Sequence, residues 1–479
     1  MRVLSVAAEI YPLVKTGGLA DVAGALPAAL APQGAKMVSF VPGYPAVTAA
    51  LENAQELHRF EDLAGAPAVL RAGKAKGLDV IVLDAQHLFN RPGNPYLGPD
   101  GKDWPDNARR FAVFSEVAAE LAKGSYGGFS ADLLHGHDWQ AALACCYLRY
   151  RGGPKSLLTI HNIAFQGVFA PEVFASLNLP AQAYAVDGVE YYGNVSFLKG
   201  GLASATALST VSPTYAQEIC TANYGMGLEG LLQARRASLA GIVNGIDDTV
   251  WNPATDKSLK ENYTVKTLDK RKANKRELER RFGLEQREGI IHGVVSRLTW
   301  QKGLDIFASL LDGVVAQGAR LAVLGNGEPN IEQAFRAAAQ RHKGRIGVVT
   351  AYDEQLSHLI QGGADTMLVP SRFEPCGLTQ LYGLRYGCVP LVARVGGLAD
   401  TIIDANDAGI AAGVATGIQF IPVDGITLQG ALARTHGLYN QPAIWRGLQE
   451  RGMASDVSWG RSAEAYANLY KSILSGGTQ

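Results

Sequence analysis

The sequence predicts an α/β protein made of two doubly wound domains of similar size, and three observations carry that prediction. Its 479 residues exceed what one ordinary hydrophobic core accommodates. Short continuous apolar runs recur between amphipathic helical stretches, the pattern of parallel strands covered on both faces. The pattern lapses once, around 241–269, in the polar stretch Asn252-Pro253-Ala254-Thr255-Asp256, and then resumes.

Taken in order, residues 3–8 form a β-branched apolar run ending in a Gly-containing turn, followed by a helical pattern over 19–30. Buried strands are expected at 37–41, 80–83, 133–136, 157–160 and 207–211, with helices including 106–122 and 139–150. A charged helix at 270–281 opens the second series, whose strands are expected at 290–295, 320–324, 345–349, 366–369 and 389–392. A last helix is expected at 461–473. The expected divisions are 1–243, 244–458 and a C-terminal segment 459–479. In open α/β sheets ligands bind beyond the carboxyl ends of the strands, so the loops there are the places to examine. Two such domains face to face would leave a cleft for a ligand.

Composition narrows the function classes. Lys+Arg and Asp+Glu both number 44, so no global positive field attracts nucleic acid or an anionic membrane. The apolar runs are too short to span a bilayer, and the start of the chain leads into a strand without a signal-peptide pattern. The five cysteines, two of them adjacent at Cys145-Cys146, suit reduced thiols better than a disulfide framework. A cytoplasmic protein is expected.

After the first strand comes Lys15-Thr16-Gly17-Gly18-Leu19-Ala20-Asp21-Val22. Paired glycines at a helix start let backbone N–H groups approach an anion, with Lys15 beside them; a tight turn with a solvated lysine is the alternative. The second series repeats the device with Arg297-Leu298-Thr299-Trp300-Gln301-Lys302-Gly303, two cations suited to a diphosphate. The run Ser371-Arg372-Phe373-Glu374-Pro375-Cys376-Gly377-Leu378-Thr379 places a carboxylate beside a Gly turn and a helix start. Arg394-Val395-Gly396-Gly397-Leu398 resembles the first Gly-Gly turn. His135-Gly136-His137-Asp138 lacks a third histidine at helical spacing, and no Asp-x-Asp triplet exists to hold a divalent ion against a diphosphate. Gly225-Met226-Gly227-Leu228-Glu229-Gly230 fits a dinucleotide fingerprint, but follows a helical segment where a strand is required.

The runs 15–22, 296–303 and 371–378, together with His137-Asp138-Trp139-Gln140, Thr159-Ile160-His161-Asn162 and Val243-Asn244-Gly245-Ile246-Asp247, resemble the bacterial glycogen synthases and plant starch synthases. The resemblance extends from residue 3 to Trp459, with the motifs in family order. It implies a GT-B architecture, two Rossmann-like domains facing a central cleft, with a C-terminal helix crossing back to the first domain. The implied activity is retaining transfer of glucose from ADP-glucose to the 4-hydroxyl at the non-reducing end of an α-1,4-glucan, without metal or cofactor. By the same resemblance Glu374, His161, Arg297 and Lys302 form the catalytic group. Arg297 and Lys302 bind the pyrophosphate, with Lys15 reaching it from the other domain. Glu374 and His161 hold glucose hydroxyls, Asp138 and Asn244 line the sugar subsite, and Thr379 lies by the phosphates. Tyr352 is the platform for adenine, and Tyr96 belongs to the acceptor side. Gly17, Gly18, Asp21, Asn162, Cys376, Gly377 and Leu378 complete the substrate-binding set.

Two departures stand out. Many relatives of this fold carry a second glutamate eight residues after the first, where this chain has Tyr382; ribose recognition stays unassigned. Val395 occupies a position where a hydroxyl residue is frequent. Retention requires a protein nucleophile on the opposite face or attack from the leaving-group face. The available carboxylates look more like hydroxyl binders, which favours the second.

Overall fold

The structure is a computed structural model describing residues 1–351 and 353–476. It separates into two compact units, one comprising Met1–Asn244 with the chain from Trp459 onward, the other Gly245–Ser458. The expectation for Tyr352 lies outside the described residues.

In the first unit the strands are β1 (Arg2–Val6), β2 (Lys36–Pro42), β3 (Leu51–Phe60), β4 (Ala68–Ala75), β5 (Leu78–Asp84), β6 (Leu133–His137) and β7 (Lys155–Ile160). Three short strands, β8 (Val168–Phe169), β9 (Glu190–Tyr191) and β10 (Asn194–Ser196), form an antiparallel sheet of their own. β11 (Ala207–Thr210) and β12 (Leu239–Gly241) complete the set. The main sheet runs β12-β11-β7-β6-β1-β2-β5-β4-β3. From β12 to β5 every pairing is parallel, and the chain direction of the winding reverses between β1 and β6. That is the switch point at which doubly wound sheets open a crevice.

The sheet is not parallel throughout, contrary to the sequence expectation. β3 and β4 add an antiparallel edge to β5 through a turn at Lys76 and Gly77, with φ of 49° and 86°. Two successive positive-φ residues match the twist of a two-residue hairpin, and Gly77 adopts that conformation without Cβ strain. The long edge strand Leu51–Phe60 is mostly exposed, so it lacks the apolar run that marks its neighbours.

The last helix, Gly460–Ser475, belongs to the first unit. Its Tyr466, Ala467, Tyr470 and Ile473 pack with Val3, Val22, Leu26, Leu133 and Leu157. Tyr470 Oη also bonds His135 Nδ1 at 2.8 Å, satisfying a buried imidazole from 335 residues away.

The second unit holds β13 (Ile291–Val295), β14 (Arg320–Leu324), β15 (Ile346–Val349), β16 (Thr366–Val369), β17 (Val389–Ala393) and β18 (Ile418–Phe420). They form one all-parallel sheet, β15-β14-β13-β16-β17-β18. Numbered within the unit this is 3-2-1-4-5-6, the Rossmann order, with its switch point between β13 and β16. The helix expected at 270–281 is observed as Arg271–Phe282. The three-residue strand β18 has no counterpart in the sequence expectation. Among the described residues no helix is long and apolar enough to cross a membrane.

At the start of β14 the Arg320 side chain is fully buried against the equally buried Glu279 and donates to the carbonyls of Glu285, Arg287 and Gly289. Removing one partner of such a pair strands a charge in a low-dielectric interior. Arg320→Ala is expected to lower stability by about 3 kcal/mol, the low end for a broken buried pair, because Arg276 still bonds Glu279. Urea titration of the purified variant checks this; a loss below about 1 kcal/mol would place the pair among surface bridges in its energetics.

Candidate active site

In the first unit the loop after β1 is organised by a carboxylate. Glu9 is only 4% exposed, and accepts from Thr16 Oγ1 at 2.5 Å, from the Thr16 and Gly17 backbone N–H groups, and from Tyr96 Oη at 2.5 Å. Burial and the neighbouring Glu9 push the Tyr96 hydroxyl well above its ordinary pKa, so it stays a donor. This alters one sequence expectation. The anion at the Gly17 turn is the chain's own Glu9, so the Gly17 N–H is already engaged. Cβ atoms added at Gly17 or Gly18 would meet nothing within 4 Å, so the space beside the turn is open. Lys15 Nζ pairs with Asp21 at 2.7 Å and lies 5.2 Å from the centroid of the Tyr11 ring.

The loops after β6 and β7 bring Asp138, His161 and Asn162 together. Asp138 opens the helix Asp138–Arg151 with φ of 56°, a left-handed conformation unusual for a non-glycine residue. There its Oδ1 accepts from the His161 N–H at 2.6 Å and the Asn162 N–H at 3.4 Å, tying the two loops to one carboxylate. Burial raises the Asp138 pKa to about 7 despite those two donors, which act in the opposite direction. His137 Nδ1 lies 2.9 Å from His161 Nε2 and His137 Nε2 lies 3.1 Å from Ser5 Oγ. Burial pushes His137 down to about 3 and holds His135 and His161 well below the usual imidazole range. Asn244 is buried, and its Oδ1 has no hydrogen-bond partner among the described residues.

In the second unit the loops after β13 and β16 meet at the switch point. Lys302 Nζ contacts both Glu374 oxygens, at 2.8 and 2.6 Å, and Ser371 Oγ donates to Oε2 at 2.8 Å. Gly303 makes the approach possible: with φ of 66°, a Cβ there would lie 2.0 Å from the Pro370 carbonyl oxygen. Arg372 forms a bidentate pair with Asp305 at 2.6 and 2.7 Å and stacks on Trp300, so it braces the loop. Arg297 is exposed and its guanidinium has no partner among the described residues. Leu378 precedes the helix Thr379–Tyr386, and Gln380 closes the turn by donating to the carbonyls of Cys376 and Gly377.

The second Gly-Gly pair differs from the first, against the sequence resemblance between them. Cβ atoms at Gly396 and Gly397 would lie 2.0 Å from the Glu374 oxygen and 2.3 Å from the Cys376 oxygen. The Gly397 N–H bonds the Glu374 and Pro375 carbonyls at 3.1 Å. These glycines seat the Glu374 loop. Tyr382, at the position of the second glutamate, stacks on Trp251 with centroids 3.6 Å apart, and Trp251 stacks in turn on His358 at 3.7 Å.

Sequence reasoning missed Glu9, Ser5 and Ser371 as parts of the site. A lone carboxylate in the apolar run Ala7-Ala8-Glu9-Ile10 just after a strand was an available signal for the first. Among the described residues no group of three His, Cys, Asp or Glu side chains is arranged to hold a metal ion.

The chain is similar to known proteins over its whole length. Residues 2–234 match the starch synthase catalytic domain model, and residues 275–416 match the glycosyl transferases group 1 model. A glycogen synthase of Mesorhizobium japonicum is 55% identical over 477 residues, covering 99% of each chain. Glycogen synthase 1 of Rhizobium meliloti is 55% identical over 480 residues, covering 100% of each. The catalytic domain of starch synthase IV from Arabidopsis thaliana, solved with ADP and acarbose bound, superposes with a TM-score of 0.87 at 32% identity, covering 99% of each chain. A sucrose-phosphate synthase from Thermosynechococcus elongatus shares the fold, with a TM-score of 0.61 at 17% identity, over 99% of this chain and 100% of that one.

The buried histidines make the first unit acid-sensitive. Their folded pKa values are depressed below about 6.5, so the stability they contribute is present above that pH and is lost as pH falls towards the folded values. Between pH 7 and pH 5 His137, with a folded value of about 3, withdraws about 2 kcal/mol, and His135 and His161 act in the same direction. Asp138 has the opposite sign: its raised value means that protonation through pH 7 stabilises the fold by about 2 kcal/mol over the same interval. Net destabilisation is expected on acidification, and Asp138→Asn should steepen it. Urea midpoints at both pH values decide; a midpoint unchanged between pH 7 and pH 5 would contradict the assignment.

Proposed function

Because this chain belongs to the glycogen and starch synthase family of GT-B glycosyltransferases, we propose that it transfers glucose from ADP-glucose to the 4-hydroxyl at the non-reducing end of an α-1,4-glucan. The anomeric configuration is retained and ADP is released. One observation carries the reading: at the Rossmann switch point Arg297, unpartnered among the described residues, accompanies the Lys302–Glu374 pair. ADP and acarbose, a nucleoside diphosphate and an oligosaccharide, bound to the starch synthase IV domain support the same substrate classes. The cytoplasm is the compartment we assign, in keeping with five free cysteines.

The chemistry follows from charge. As the glycosidic C–O bond breaks, negative charge grows on the diphosphate and positive charge on the anomeric carbon. Arg297 supplies a fork for phosphate oxygens and Lys302 a compact cation, the latter held by Glu374 before reaction. Glu374, held by Ser371 and Lys302, accepts hydrogen bonds from glucose hydroxyls. His161 and Asn244 hold the sugar, Asp138 orders the His161 loop, and Lys15 and Thr379 address the phosphates. Tyr96 serves the acceptor. No carboxylate in this assignment is spent as a nucleophile, so we assign attack from the leaving-group face.

Two outcomes are expected. Glu374→Ala should lower kcat about a hundredfold or more, as expected for losing roughly 3 kcal/mol of charged hydrogen bonding at the reacting sugar. A folded variant keeping a tenth of normal turnover would remove Glu374 from this role. Glucan synthesis should persist in EDTA, since side-chain cations carry the leaving-group charge. Activity lost to chelation and restored by magnesium would contradict that account.

A further inference from the structure

Three buried groups in the first unit form a chain that ends at His161. Ser5 Oγ lies 3.1 Å from His137 Nε2, and His137 Nδ1 lies 2.9 Å from His161 Nε2. Ser5 and His137 are 0% exposed and His161 is 8% exposed. His161 Nδ1 has no hydrogen-bond partner among the described residues. The His135 ring, itself bonded to Tyr470 and Thr159, lies 4.2 Å from that of His137 and limits its movement.

A neutral imidazole carries one N–H, so both bonds of His137 cannot be donated. Burial keeps both histidines neutral near pH 7. Two arrangements remain. In the first, Ser5 O–H donates to His137 Nε2, His137 Nδ1–H donates to His161 Nε2, and the His161 proton sits on Nδ1. In the second every direction reverses, Ser5 becomes an acceptor, and His161 Nδ1 is bare. Ser5 Oγ has no other hydrogen-bond partner among the described residues. The second arrangement would therefore leave a buried hydroxyl hydrogen unsatisfied, whereas the first leaves only spare lone pairs, which cost less.

We propose that Ser5 and His137 are positioning residues that hold His161 as its Nδ1–H tautomer, so that this nitrogen donates to a hydroxyl oxygen of the sugar. The inference rests on the reading of His161 as a glucose-holding residue. It adds that the residue presents a donor, with its polarity set at Ser5. A ligand oxygen offering a lone pair is favoured there, and a group able only to donate is rejected.

Nitrogen-15 NMR of imidazole-labelled protein without ligand reads the tautomer directly, because protonated and bare ring nitrogens resonate far apart. Signals are assigned by their loss in His137→Asn and His161→Gln. Protonated Nδ1 on both His137 and His161 is expected; protonated Nε2 on His161 overturns the proposal. A kinetic series gives a second reading. In His137→Asn the amide nitrogen stands where Nδ1 stood and keeps a donor to His161, while His137→Phe fills the space without one. Asn is expected to retain at least ten times the kcat of Phe, with the KM for glucan alike in both. If Phe equals or exceeds Asn, His137 only fills volume and the proposal fails. A wild-type protein without glucosyl transfer would sink the proposed function instead, and the NMR result would still judge the tautomer.

Discussion

Both units depend on one constraint. A parallel sheet wound in two directions from a central strand leaves a crevice only where the winding reverses, beyond the carboxyl ends of two adjacent strands. Here those places are β1/β6 in the first unit and β13/β16 in the second. Glu9 follows β1, Asp138 follows β6, Arg297 and Lys302 follow β13, and Glu374 follows β16. The chemistry-bearing loops sit where the backbone topology leaves them room.

Polar groups at these crevices are costly to bury, and each carboxylate is accommodated differently. Glu9 is surrounded by donors from its own loop and Tyr96. Glu374 is neutralised by a lysine and ordered by a serine. Asp138 has two backbone donors and, among the described residues, no cation bonded to it, and burial dominates, lifting its pKa. These differences distinguish a carboxylate wrapped by donors, one paired with a cation and one whose pKa is lifted to about 7.

Much of the fold was legible because buried parallel strands are written as continuous apolar runs, as in residues 321–324 of β14 and 367–369 of β16. The β3–β4 hairpin was not, since an exposed edge strand such as Leu51–Phe60 carries no apolar period. Within the site, residue types were readable and pairings were not. Nothing in spacing connects Lys302 with Glu374, 72 residues apart; only the order of strands does. Nor does composition separate the two Gly-Gly turns. One borders open space and the other packs against carbonyls of the Glu374 loop, a difference set by tertiary neighbours. The Ser5–His137–His161 chain joins three strand ends, so it too exists only after folding.

The central claim is that these residues together serve transfer of a glucosyl group from an adenine nucleotide donor. The direct measurement incubates the purified protein with glycogen and either ADP-glucose or UDP-glucose, labelled in the glucosyl group. It follows nucleotide release and the position of label in the glucan. The account predicts ADP released in step with label incorporated through α-1,4 linkages at non-reducing ends. Release of UDP in preference to ADP, or nucleotide release without label entering the glucan, would contradict it.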